Sequence, residues 1–213
     1  MTHRNITKTK IMKNVINHIK KGFLMATIFA TTLSFANDNS FIKIKNEANK
    51  TSLTLEDVKP GNLISIKDIN GITLYKEFIQ KTGNYTKGFD LTELPNGEYV
   101  FELDKDVEIS LIPFTVTADG VSFNKKEEKV IYKPVTRVVG NLLYVTKLAL
   151  DESPLTIDIY SGVDNSATEP IHTETIGNSK TIERVYKLTG FGQDKFEIVY
   201  HSNGRIFTES ISL

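Results

Sequence analysis

Past residue 36 the chain holds only two histidines, His172 and His201. A nucleophilic hydrolase needs an imidazole converging with a serine and an acid, and nothing beside either histidine marks a strained nucleophile turn. His201 precedes Ser202-Asn203-Gly204-Arg205, which reads as a hairpin turn. Two histidines supply at most half of a tetrahedral zinc site, and the chain has no cysteine to complete one. The same absence removes a thiolate nucleophile, a disulfide framework and a lipidated cysteine.

Carboxylates are the next candidates. Asp104 and Asp106 flank Lys105 in a turn between two strands, and Glu56-Asp57 falls in a loop. Loop carboxylates beside carbonyls suit calcium, but Asp164-Asn165-Ser166 lacks the later acids of a calcium loop. A glycosidase would need two carboxyls a few ångströms apart in a rigid cleft, which short sandwiches rarely build. With no tryptophan, Tyr75, Tyr85, Tyr132, Tyr144 and Tyr160 are left to form a sugar-stacking platform, and alternating strand positions send most of them to core or cross-strand pairs. The sequence therefore assigns no catalytic, cofactor-binding or metal-ligating residue.

The elements that carry these residues are strands. Period-2 alternation, rich in β-branched and aromatic residues and bounded by Gly, Asn, Asp and Pro, runs along the chain after residue 36, with no convincing helical period. In the first half it predicts strands near residues 41–45, 52–56, 63–67, 72–80, 85–91, 98–103 and 108–116. Asn70-Gly71 should close a hairpin, because glycine admits the positive φ that a tight turn asks for.

The second half repeats the first. At an offset of 97, Phe89, Leu91, Leu94, Tyr99, Phe101 and Leu103 fall on Tyr186, Leu188, Phe191, Phe196, Ile198 and Tyr200, and Ile109, Phe114 and Val116 on Ile206, Ile211 and Leu213. Ile64 and Ile66 match Ile157 and Ile159 at an offset of 93, so the later copy gained residues in between, most naturally in the polar stretch Gly162 to Pro170. Two copies of about seven strands each predict an all-β protein of two tandem immunoglobulin-like antiparallel β-sandwich domains, residues 37–124 and 125–213. The charged run Asn124 to Glu128 marks the expected boundary, too short for a loose tether.

Residues 1–36 read as a signal peptide. Six basic and no acidic side chains precede the apolar run Phe23 to Ala30, and Ser34-Phe35-Ala36 offers a small-residue cleavage site ahead of Asn37. The run is shorter than the roughly 20 residues that span a bilayer. Met12 stands closer to Lys20-Lys21 than Met1 does and would start a signal of more usual length. Removal of this segment leaves twenty basic against twenty-six acidic side chains, a formal charge of −6. That sign repels phosphate backbones and anionic lipid, so the mature chain is expected to bind no nucleic acid and to meet a membrane only through the transient signal peptide.

Tyr99 is expected to return its hydroxyl to the chain crossing at Leu94-Pro95-Asn96-Gly97, in the manner of a tyrosine corner, while Phe196 lacks the hydroxyl. Ile66-Lys67-Asp68-Ile69-Asn70-Gly71-Ile72 and Phe89-Asp90-Leu91-Thr92-Glu93-Leu94-Pro95-Asn96-Gly97-Glu98-Tyr99 resemble the sandwich modules of exported Bacteroidota proteins, including type IX secretion sorting domains. The resemblance covers residues 63–103 and implies a related fold in a bacterial envelope setting. It does not carry the sorting role, because the matching repeat is the inner one and the last repeat lacks the proline.

Taken together, these readings predict an exported, non-enzymatic protein of the periplasm, cell surface or medium. Its expected partner is an envelope or extracellular protein met through strand-edge pairing at residues 41–45 or 205–213. A glycan is the alternative partner.

Overall fold

The structure is a computed structural model that describes residues 42–47, 50–162, 170–189 and 194–213. The expected signal peptide and its cleavage point lie outside the described residues, as do Asp164-Asn165-Ser166 and Phe191. Residues 41–213 form one compact unit, within which the two repeats each close an apolar interior of their own.

In the first repeat the strands are β1 (Ile42–Glu47), β2 (Lys50–Val58), β3 (Leu63–Asp68), β4 (Thr73–Phe78), β5 (Gly83–Phe89), β6 (Gly97–Asp104) and β7 (Glu108–Thr117), followed by β8 (Gly120–Phe123) and β9 (Lys129–Tyr132). One sheet has the order β1-β2-β5 and the other β4-β3-β6-β7-β8, with β9 also paired to β7. The second repeat holds β10 (Val135–Val139), β11 (Leu142–Leu148), β12 (Leu155–Ser161), β13 (His172–Ile176), β14 (Thr181–Lys187), β15 (Lys195–Ser202) and β16 (Arg205–Ser212). Its sheets run β10-β11-β14 and β13-β12-β15-β16, the same order strand for strand. All pairings are antiparallel, and this is the two-sheet, seven-strand plan of an immunoglobulin-like sandwich.

Alternation produces the two interiors. Every second residue of a strand faces inward, so Leu53, Leu55, Ile64, Ile66, Phe101, Leu103, Ile112, Phe114 and Val116 fill the first core. Leu143, Val145, Leu155, Ile157, Ile159, Phe196, Ile198 and Tyr200 fill the second. The repeat is exact in register: Ile64 faces Leu103 and Ile66 faces Phe101, as Ile157 faces Tyr200 and Ile159 faces Ile198. Phe89 ends β5 against Thr51 and packs on the first core, and Tyr186 on β14 pairs with Leu143 and packs on the second.

The length difference between copies falls largely in one connection. Residues 69–72 link β3 to β4, whereas residues 162–171 link β12 to β13; most of that longer loop, 163–169, lies outside the described residues. The short link turns as an aspartate-capped loop: Asp68 accepts from the Asn70 and Ile72 amides, and Gly71 alone takes a positive φ of 81°. Asn70-Gly71 thus sits in a hairpin without forming the two-residue mirror turn. That turn occurs instead at Asn203-Gly204, with φ of 51° and 69°, joining β15 to β16.

The charged run Asn124–Glu128 forms a short 3-10 turn, Lys125–Glu127, and the strand after it returns to the first sheet. β9 pairs with β7 through Glu108 to Tyr132 and Ile109 to Ile131, so the chain crosses to the second sandwich at Lys133-Pro134, beyond the charged run.

Candidate binding surfaces

The residues that sequence singled out for chemistry do not converge. The exposed His172 ring packs beside Tyr186, and His201 Nε2 stands 3.1 Å from Asp158 on the neighbouring strand. Asp104 pairs with Lys133, Asp106 with Lys59 and Asn62, and Glu56 with Lys43. No group of three or more His, Asp or Glu with metal-binding geometry occurs among the described residues. Tyr75 and Tyr85 pack on the first core, the Tyr144 ring lies under the Arg137 guanidinium, and Tyr132 lines the junction between the sandwiches.

Tyr99 makes the tyrosine corner: its hydroxyl donates to the Pro95 carbonyl at 2.7 Å. Phe196 in the equivalent place cannot do so. Further along β15, the fully buried Tyr200 shares a 2.7 Å hydrogen bond with Thr136, tying β15 to β10 across the sandwich. Burial pushes the Tyr200 phenol up to about 12.

A polar cluster that the sequence reading missed closes one open side of each sandwich. In the first, Glu77 on β4 accepts from Lys87 and Tyr85 on β5 and from its own neighbour Tyr75, whose ring meets Phe89 edge-on at 5.3 Å. In the second, Glu174 on β13 accepts from Arg184 at 2.7 Å and Tyr186 at 2.6 Å, and Tyr186 meets His172 at 5.1 Å. The four positions 75, 77, 87 and 89 map onto 172, 174, 184 and 186 at the same offset of 97. That offset was the available signal: Tyr75, Glu77, Lys87 and Phe89 fall on His172, Glu174, Arg184 and Tyr186. Lys87, then Tyr75 and Tyr85, hold Glu77 down to about 2, and burial followed by the Glu77 contact raises Tyr85 to about 12. Glu77 and Glu174 thus clamp β4 to β5 and β13 to β14.

Where the two sandwiches meet, Glu102 lies on β6 facing away from its own core. Its side chain is 7% exposed because the β15–β16 hairpin covers it. Arg205 reaches it with two nitrogens, at 3.1 and 2.6 Å, and Lys67 of β3 adds a third contact at 3.0 Å. Burial raises the Glu102 pKa, but the Arg205 and Lys67 contacts outweigh it and hold the carboxyl below its ordinary value. The hairpin tip is fixed in turn: Asn203 donates to Asp151 at 3.0 Å, Ser202 donates to the Pro154 carbonyl, and Lys129 of β9 pairs with Asp151 at 3.0 Å. An open groove of about 290 Å³ flanks this contact, lined by Val107, Tyr132, Val135, Lys147 and Leu148. Val107, Val135 and Leu148 give its walls a largely apolar surface, and Lys133, Thr146, Lys147 and Thr181 supply polar groups beside them.

Several sheet edges lack a neighbouring strand within the described residues, and β4 and β16 are two of them. The first is β4, an edge strand: Leu74 and Phe78 on it and Ile72 just before it are each about half exposed, a bulge opposite Ile66 and Lys67 interrupts the strand at Leu74, and Ile69 at the turn is 71% exposed. The second is β16, the edge of the second large sheet, paired only with β15. The expected edge segments 41–45 and 205–213 thus correspond to β1 and β16, both at sheet edges, though Phe41 lies outside the described residues.

No family model matches the chain, and no curated protein matches it. Among solved structures it is similar to the human OSCAR ligand-binding domain, at 9% identity over 81% of this chain and 97% of that one, with a TM-score of 0.24. It is also similar to the BSP domain of a biofilm associated protein, at 12% identity over 81% of this chain and 29% of that one, with a TM-score of 0.27. A structure of the receptor tyrosine kinase Torso, described for neurohormone perception, aligns at 8% identity over all of this chain and 93% of that one, with a TM-score of 0.22. The strand order and registers given above, rather than these similarities, carry the immunoglobulin-like fold.

Proposed function

We propose that the mature chain is an exported, non-enzymatic binding protein of the bacterial envelope or its surroundings, whose two docked sandwiches present an edge and face to another protein. The observation that carries this reading is the apolar row on β4. Ile72, Leu74 and Phe78 stand exposed along an edge that carries one bulge, at Leu74, and one outward charge, Lys76, but no covering strand among the described residues, so the blunting that soluble proteins usually give an edge strand is only partial here. Water-exposed apolar side chains in a row favour a protein surface over a sugar. The non-catalytic part of the reading is supported by how polar side chains are used: His201, Asp104, Asp106, Glu77, Glu102 and Glu174 are all engaged in ion pairs or strand clamps. The export part rests on the sequence of residues 1–36.

The test is a pull-down of the mature protein from envelope extracts, run beside a glycan array with the same preparation. The expected result is a protein partner captured by the wild type and lost with the double variant Leu74→Lys/Phe78→Lys, with an empty array. Signal on the array alone would overturn the proposal.

A further inference from the structure

The two repeats agree strand for strand, yet they treat the same strand differently. On β7 the outer edge is covered along nearly its whole length: β8 pairs with residues 114–117 and β9 with residues 108–111. The covering chain runs antiparallel to β7 in two four-residue strands separated by the Lys125–Glu127 turn, with Phe123 opposite Phe114 and Ile131 opposite Ile109. Its equivalent, β16, has no neighbour on that side among the described residues. Burial records the difference. Ile109 and Phe114 are 2% and 1% exposed, whereas Ile206 is 67% exposed and Ile211 is only partly buried against the second core.

The unpaired groups can be named. The Asn203-Gly204 turn makes Ser202 and Arg205 the closing pair, so Arg205, Phe207, Glu209 and Ile211 direct their backbone groups to β15. Leu213 continues that phase by donating to the Asp194 carbonyl at 2.8 Å. Ile206, Thr208, Ser210 and Ser212 therefore point their amides and carbonyls outward, an open ladder for a further strand.

Resting on the protein-binding reading above, we propose that the outer edge of β16 is a strand-acceptor site for an extended peptide segment of a partner protein. The segment runs antiparallel to β16 in two short strands joined by a turn, as β8 and β9 do on β7, and places an aromatic side chain opposite Ile211 and an aliphatic one opposite Ile206. The first repeat supplies the chemistry of the occupant, because β8 and β9 present that pair of side chains to the matching positions of β7. Main-chain hydrogen bonds hold such a segment and the two side chains select it, which is the usual division in strand addition.

The probe is a fluorescein-labelled peptide of residues 119–132 of this chain, titrated with the full chain and followed by anisotropy. Saturable binding is expected, weakened about tenfold or more by Thr208→Pro, which removes an outward amide while leaving the β15 ladder intact. Ile206→Lys, an exposed position, gives the same loss should the proline variant fail to fold. A peptide carrying Ser in place of Phe123 should bind more weakly. Absence of binding, or equal binding to wild type and both variants, would overturn the proposal. So would sedimentation showing that the wild type self-associates and that Thr208→Pro abolishes it, since the occupant would then be a second copy. The pull-down reading depends on Leu74 and Phe78, not on β16, so capture that survives Thr208→Pro separates failure here from failure of the function.

Discussion

Substituting Arg205 by alanine isolates the contact that joins the two sandwiches. The Glu102 carboxylate is nearly inaccessible and takes two of its three hydrogen bonds from Arg205. Removing one member of a buried ion pair typically costs about 3–5 kcal/mol, because the survivor stays buried and uncompensated. Here Lys67 remains on Glu102 and Arg205 itself is 26% exposed, so about 2 kcal/mol is the appropriate expectation. The reverse substitution, Glu102→Ala, should cost less, about 1 kcal/mol, since both cations can turn to water. In urea titrations followed by far-ultraviolet circular dichroism, Arg205→Ala should lower the midpoint more than Glu102→Ala. The double variant should lie close to Arg205→Ala alone, because the two residues share one interaction. Equal midpoints for wild type and Arg205→Ala, or a larger loss with Glu102→Ala, would refute the reasoning that the carboxylate is the member unable to reach solvent.

Acid should weaken the fold in a predictable window. Glu77, Glu102 and Glu174 all have folded values below the ordinary 4.5, so their contribution is fully present above that value and is lost as pH falls through the lowered ones. Urea midpoints should decline from about pH 4.5 towards 2, and Glu102→Gln should flatten the decline. Tyr99→Phe removes the hydroxyl that donates to Pro95 and should cost about 1 kcal/mol in denaturant titrations, a change the second repeat already tolerates at Phe196. Phe101→Ala opens the first core at a side chain 1% exposed and should cost about 3–5 kcal/mol. Because the two cores are separate, calorimetry should show the transition of the first sandwich moving while that of the second moves far less.

Much of the fold was legible because sheet sandwiches write their interior into every second residue. The predicted strands at 63–67, 98–103 and 108–116 meet β3, β6 and β7 to within a residue or two, and the duplicated apolar positions proved to be register partners. β8 and β9 were not read from sequence. Each is four residues long, and the second follows a charged run that looks like a linker; both exist because the β7 edge offers a ladder to pair with. The hairpin at Asn70-Gly71 was placed correctly, but Asp68 capped the turn and relieved Asn70 of the left-handed conformation.

The candidate surfaces divide along the same line. Glu102 and Arg205 lie 103 residues apart in sequence, and neither has a local feature that foretells the other, since docking of whole sandwiches brings them together. The clamps at Glu77 and Glu174 were visible in principle at the 97-residue offset, but what makes them clamps is the approach of β4 to β5 and of β13 to β14 across the open side.

By itself the sequence determined the strand content, the duplication and which side chains line each interior, because alternation and apolar type act locally and survive any arrangement of the sheets. Tertiary structure alone decided which edges are covered. Pairing along an edge is set by what other segments happen to reach it, so β7 is sealed by β8 and β9 while β16, built to the same pattern, has no neighbour on that side among the described residues.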